Sequence, residues 1–294
     1  MRRSLVVAIS LALSCVASPA VFAAEPAAPA AARSEVTTQL PRTARPDHYR
    51  VQITPHAGQM RFDGKVSIDL EVLQPTSSIV LQAAGMRFGK SQLQPAGGGK
   101  AMPATVSVDE ANQTASFSVA APLAPGRYTL NIDYSGTINT QANGLFALDY
   151  PVADGSKKRA LFTQFENSDA RRFIPSWDEP GFKATFDLSV TVPEAEMAVA
   201  RSTSLGNGLK QVVFQTTPKM STYLLFFSSG EFERATVNEG GTEIGVIAQT
   251  GKVEQAQFAL EGSAEVLREY NDYFGVKYPL PKLDNVAAPG GSQF

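Results

Sequence analysis

Between residues 48 and 227 the chain is a succession of short runs in which apolar and polar residues alternate, at 48–54, 65–72, 78–82, 105–109, 114–119, 127–138, 160–166, 186–192, 211–216 and 223–227. A period of two puts alternate side chains on opposite faces of a strand, so each run predicts a strand with one face toward a core. Turn signals such as Asp63-Gly64, Pro125-Gly126 and Asn207-Gly208 separate them. Strands at this spacing without helices between them predict antiparallel sheets packed on one another. After Gly230 the texture changes. Two more strands, 232–237 and 243–248, precede 252–274, where Val253, Ala256, Leu260, Ala264, Leu267, Asn271 and Phe274 recur every three or four positions. That stripe predicts a helix, with Gly275 placed to end it. A helix after so many strands predicts a second domain, which sets boundaries at 36–229 for the β domain and 230–294 for the second. No internal repeat is visible.

Composition narrows the class. A chain of 294 residues with 43% hydrophobic and 18% charged residues is globular, and a net charge of −2 without a basic run excludes a nucleic-acid binder. Residues 1–23 have the layout of a secretory signal: Arg2-Arg3, an apolar stretch from Leu5 through Val16, then Val21-Phe22-Ala23 as the cleavage signal. The apolar stretch is shorter than the roughly 20 residues that span a bilayer and is followed by Pro19, so no stable membrane insertion is expected after cleavage behind Ala23. The expected location is periplasmic or secreted. Residues 24–35 form an Ala/Pro-rich tether. The only cysteine, Cys15, leaves with the signal, so the mature chain forms no disulfide.

Chemistry concentrates in residues 163–186, TQFENSDARRFIPSWDEPGFKATF, where charge, amide, aromatic and proline residues replace simple alternation. With 160–166 extended, Gln164 and Glu166 project from one face. An amide beside a carboxylate can hold a small cation, and the ammonium group of a peptide N-terminus is one. The other assignment of the same residues is structural: Glu166 pairs with Arg171 or Arg172, and Gln164 bonds neighbouring backbone. Asp169, Arg171, Arg172, Asp178 and Glu179 are expected to form an ion-pair network under the bend, with Trp177 as an apolar lid. His48 and His56, the only histidines, belong to no His-Glu-x-x-His helix, so no metal site is expected from this chain. No Ser/His/Asp set, phosphate loop or dinucleotide fingerprint occurs either.

This stretch resembles the zinc aminopeptidases of the aminopeptidase N family, whose N-terminal β domain carries Gln-x-Glu, Asp-Ala-Arg-Arg, an aromatic-Asp-Glu-Pro bend and Lys-Ala-Thr-Phe. Gln164, Glu166, Asp169, Ala170, Arg171, Arg172, Asp178, Glu179, Pro180, Lys183, Ala184, Thr185 and Phe186 fall on that pattern. Similar segments flank it in family order: LPRTARPDHYRVQITP, TTPKMSTYLLFF, GKVEQAQFAL and YFGVKYPLPKLDNVAAPGGSQF. The resemblance implies a mainly β fold, a saddle-shaped antiparallel β-sandwich followed by the incomplete α/β start of a thermolysin-like catalytic domain. It implies that Glu166 and Gln164 bind the α-amine of peptides with a free N-terminus. It also implies zinc in the full-length enzyme and none in this chain, which stops before the Gly-Ala-Met-Glu-Asn loop and the zinc-binding helix, so that the chain alone is expected to be inactive. Met220, Tyr223 and Phe226 are expected on a core strand, and Gly290 to Phe294 as the lead-in to the substrate loop. The alternative function is a non-catalytic peptide- or protein-binding β module.

Overall fold

The computed structural model describes residues 40–289 with the exception of 199. The signal, the tether and the segment from Gly290 to Phe294 lie outside the described residues. In chain order the strands are β1 (Ala44–His56), β2 (Arg61–Val72), β3 (Thr76–Gln82), β4 (Arg87–Pro95), β5 (Met102–Pro103), β6 (Thr105–Asp109), β7 (Thr114–Leu123), β8 (Gly126–Thr137), β9 (Gly144–Pro151) and β10 (Lys157–Gln164). They continue with β11 (Thr185–Pro193), β12 (Arg201–Ser204), β13 (Leu209–Val213), β14 (Ser228–Ser229), β15 (Phe232–Glu239) and β16 (Thr242–Gln249). Helix α1 (Gln257–Phe274) and strand β17 (Lys282–Val286) complete the described part.

The main sheet has the order β12-β13-β11-β1-β2-β8-β4-β5, and β3-β7-β6 forms a smaller sheet. Their inward side chains share one core, which includes Ile68 and Leu70 of β2, Leu130 and Ile132 of β8, and Ile79, Leu81, Ala115 and Phe117 from the smaller sheet. Phe88 meets Phe117 edge-on with ring centroids 5.5 Å apart. The mainly β, sandwich-like expectation therefore holds, with one addition: β1 and β11 run parallel. Alternation made β1, β2, β8, β11 and β13 of the main sheet legible, and β2 and β11 bury every second residue; β4, β5 and β12 were not predicted.

Two glycines let the central pair close. In the β2–β8 ladder Gly64 faces Tyr134 and Gly136 faces Phe62. A methyl group at Gly64 would sit 2.3 Å from the Tyr134 ring, and one at Gly136 would sit 2.4 Å from the Phe62 ring. Each ring lies over the opposite glycine, and the Phe62 and Tyr134 rings meet edge-on at 6.2 Å.

A third sheet, β14-β10-β9, separates the main core from a second one. Leu161 belongs to the main core, whereas Ala160 and Phe162 pack with Phe146, Tyr150, Phe232 and Ile247. The fourth sheet, β15-β16-β17, carries α1 on one face through Ile244, Val246, Ala256, Leu260, Ala264 and Leu267. The predicted helix stripe is buried at those positions, and Gly275 ends the helix in a left-handed conformation. Phe274, at the end of the stripe, is exposed. None of the described helices is long and apolar enough to cross a membrane.

The run 223–227 is not a strand. Thr222–Leu224 forms a short 3-10 turn, after which Leu225 and Phe227 are buried while Leu224 and Phe226 face outward. Phe226 is thus not a core residue, and Met220 and Tyr223 are only partly buried against the main core.

Candidate functional site

Strand β10 delivers the Gln-x-Glu run. After the more exposed Lys157 to Arg159, residues Ala160 to Thr163 are all buried, so this half of the strand has no solvent face until Gln164. It pairs with β9 as far as Gln164 opposite Gly144, and with β14 through Leu161–Ser229 and Phe162–Ser228. The strand ends at Gln164, two residues short of the sequence expectation. Phe165 turns into the core against Phe173, with ring centroids 5.4 Å apart. The Phe165 carbonyl then accepts the Asp169 N–H at 2.9 Å, which leads the chain into the 3-10 turn Ala170–Arg172. Glu166 is exposed, its N–H donates to Gln164 Oε1 at 3.4 Å, and the Glu166–Asn167 peptide is cis.

The charged residues after Glu166 resolve into two separate ion pairs. Arg171 Nε donates to Asp178 Oδ2 at 3.0 Å with side chains only 9% and 2% exposed, and the Arg171 backbone N–H reaches the same oxygen at 3.1 Å. Arg172 Nε donates to Asp169 Oδ1 at 2.7 Å nearer the surface. Among the described residues Glu166 takes part in neither pair. Glu179 also stands apart from the arginines: its Oε1 accepts from Leu40 N–H at 2.9 Å and Gln82 Nε2 at 3.1 Å. Burial pushes the Asp178 carboxyl above its ordinary range, and the Arg171 side-chain and backbone donors offset this only in part. Trp177, the expected apolar lid, is fully buried in the main core, with its backbone N–H on Tyr49 Oη at 3.2 Å.

Glutamines and hydroxyls that alternation could not single out hold this segment in place. Gln82 is fully buried, and its Oε1 accepts the Asp178 N–H at 2.7 Å. Gln113 Oε1 takes Arg171 Nη1 at 3.2 Å. Ser221 Oγ donates to the Pro180 carbonyl at 2.8 Å and Thr222 Oγ1 to the Trp177 carbonyl at 3.2 Å. Thr163 exchanges hydrogen bonds with Phe227. The three motif segments at 163–166, 177–180 and 219–227 are therefore joined through buried side chains. Their one visible signal was a polar residue set in or beside an apolar run. On the other side of Gln164, Gly144 has φ of 64° and lies against Arg172, where a methyl group would come within 2.7 Å of the Arg172 Cβ.

The histidines lie on β1. His48 Nδ1 meets Thr185 Oγ1 at 2.7 Å and its Nε2 meets Asp187 Oδ2 at 3.0 Å; His56 Nε2 meets Asp63 Oδ2 at 2.8 Å.

A family model described as the Peptidase M1 N-terminal domain matches residues 45–224, which include the Gln-x-Glu run, its strands β9 and β10, and the 177–180 bend. The chain belongs to the M1 peptidase family. Aminopeptidase N of Acetobacter pasteurianus is 41% identical over 260 residues, covering 87% of this chain and 72% of that protein. Aminopeptidase M1-D of Oryza sativa subsp. japonica is 35% identical over 267 residues, and the puromycin-sensitive aminopeptidase of Caenorhabditis elegans is 33% identical over 258 residues. This M1 chain spans only 30% and 27% of those two longer relatives. Residues 45–224 of the chain are its M1 N-terminal domain.

Proposed function

We propose that this chain is the N-terminal portion of an exported zinc metallo-aminopeptidase, and that Gln164 and Glu166 recognise the α-amine of a peptide with a free N-terminus. The observation that carries this is the position of Glu166. Its carboxylate stands exposed at the end of a buried strand, while Arg171 and Arg172, the nearest arginines in sequence, are held by Asp178 and Asp169. An exposed carboxylate with no ion-pair partner among the described residues, on a residue whose N–H meets the Gln164 amide oxygen, suits an ammonium group from solution. The aminopeptidase names of the relatives that match this region support the same assignment. Residues 36–229 would form the N-terminal β domain and 230–294 the start of the catalytic domain, with export through cleavage after Ala23 to the periplasm or outside.

Zinc is the cofactor the family implies, and the described residues do not fit it. His48 and His56 stand eight positions apart on β1, about 26 Å along an extended strand. Each is hydrogen-bonded to a carboxylate, and no three ligating His, Cys, Asp or Glu come together among the described residues. In this proposal zinc and bond cleavage belong to parts of the longer relatives outside the matched region, and this chain alone hydrolyses no peptide.

Glu166→Gln in a full-length relative carrying the same Gln-x-Glu run tests the anchor. Peptides with a free N-terminus should lose roughly 2–4 kcal/mol in kcat/KM, part of it in kcat because the amine also fixes the scissile bond. Gln164→Ala should cost less, since a neutral hydrogen bond is lost and not a charge. Near-normal kinetics with a lowered Tm would give Glu166 a structural role.

A further inference from the structure

We infer that Thr163 is a positioning residue for the amine anchor, its hydroxyl ending the β10–β14 ladder at the point where Gln164 and Glu166 leave the sheet; this rests on the anchor assignment above. In a regular antiparallel ladder, two residues in a hydrogen-bonded pair exchange both N–H···O=C bonds. Leu161 lies opposite Ser229, and two residues on, Thr163 would lie opposite Phe227. Only half of that pair forms. The Thr163 N–H donates to the Phe227 carbonyl at 3.0 Å, but the Phe227 N–H turns to Thr163 Oγ1 at 2.8 Å. The same hydroxyl donates to the Phe227 carbonyl at 3.3 Å, so both sides of the oxygen are used. A buried side chain has thus taken the donor that the Thr163 carbonyl accepts in a continued ladder.

Strand geometry gives this diversion its consequence. Had the pairing run on, residues 164 to 166 would be bound between two neighbours, and Glu166 would be drawn into the sheet. With the ladder open on the β14 side, Gln164 stays paired only to Gly144 on β9, and the chain is free to turn Phe165 inward and Glu166 outward. The partner in this exchange follows the 3-10 turn whose Thr222 hydroxyl is bonded to the Trp177 carbonyl. Thr163 therefore fixes the anchor against the same bend that holds Asp178.

The test uses the full chain, ¹⁵N-labelled, with Thr163→Val and Thr163→Ser and two probes, alanyl-phenylalanine amide and its N-acetylated form. In the wild type and in Thr163→Ser, the free-amine probe should shift the Gln164 and Glu166 amide resonances saturably and the acetylated probe should not. Thr163→Val should bind the free-amine probe about tenfold more weakly, the equivalent of one buried hydrogen bond. Its Phe227 amide resonance should also move as the acceptor changes from hydroxyl to carbonyl. Wild-type affinity in Thr163→Val, or loss of affinity in Thr163→Ser, overturns the proposal. Should Thr163→Val not fold, Thr163→Ser decides alone, because a purely steric role would not require the hydroxyl to be kept and its affinity would fall with the lost methyl. If the free-amine probe moves neither resonance in the wild type, the anchor assignment fails, and an unmoved Phe227 amide in Thr163→Val would separately remove the ladder-ending role.

Discussion

Arg171 and Asp178 show how much depends on single side chains under the bend. Both are buried, and Arg171 supplies its backbone N–H and its Nε to one carboxylate oxygen. Arg171→Met leaves a buried carboxylate without its charge partner and should destabilise the chain by roughly 3–5 kcal/mol. Adding Asp178→Asn should recover part of that loss, because a neutral amide needs no counter-charge; thermal unfolding of the two variants measures both effects. Glu196 is raised by burial in the same direction as Asp178, but without an arginine to hold its charge. It is held by the Ser229 hydroxyl, and burial pushes its carboxyl above the ordinary range, with Ser229 and Lys210 pulling the other way and Glu231 adding to the rise. The fold therefore favours its protonated form. Its share of stability is present below the unfolded value and lost as pH rises through the raised folded one. Glu196→Gln keeps an oxygen for Ser229, so it should raise Tm at mildly alkaline pH, with the difference closing toward about pH 4.

At the scale of elements, the β2–β8 pair is the tightest test of packing. Gly64→Ala would push a methyl group against the hydroxyl-bearing end of the Tyr134 ring, whose Oη is committed to the Phe173 carbonyl at 2.9 Å. The ring cannot swing aside without giving up that bond, and Phe173 begins the descent from the Asp169–Arg172 turn. Overpacking of this kind costs about 1–3 kcal/mol. Chemical denaturation of Gly64→Ala should show a lower midpoint at unchanged slope, with Tyr134→Phe relieving little of it because the ring remains. Elements that the alternation missed share a physical cause. Strand β9 lies between two cores and buries Gly144, Leu145 and Phe146 in succession, so no period of two survives. Strand β12 is an edge with all four residues exposed, and therefore has no apolar face to recognise. The 223–227 run had the right composition for a strand, but the hydroxyls of Ser221 and Thr222 tie it to the Trp177–Pro180 bend and wind it into a turn.

For the molecule as a whole, helix α1 and the residues just after it carry the most exposed large apolar side chains among the described residues. Helix α1 buries Leu260, Ala264 and Leu267 against its sheet, yet Phe258 is 87% and Tyr273 83% exposed, with Tyr270, Phe274 and Val276 also open. Apolar area left in water forgoes about 25 cal/mol per Å². Amide exchange in α1 should therefore be much faster than in β2, whose neighbours are paired on both sides. Equal protection would show that α1 is as firmly held as the sandwich.

Five strands of the main sheet (β1, β2, β8, β11 and β13), the helix stripe, the change of texture near Gly230 and the family were legible along the chain, because alternation, a 3.6-residue period and motif spacing are properties of neighbouring residues. The sequence by itself also marked out Gln164 and Glu166 as a pair. Tertiary structure decided how charges were partnered and where strands stopped. Arg171 chose Asp178, Arg172 chose Asp169, and Glu179 turned to Leu40 and Gln82, since the partners differ in burial and in direction and not in type. Strand β10 stopped at Gln164 because a hydroxyl at Thr163 met an amide 64 positions away, a contact that only the folded chain brings together.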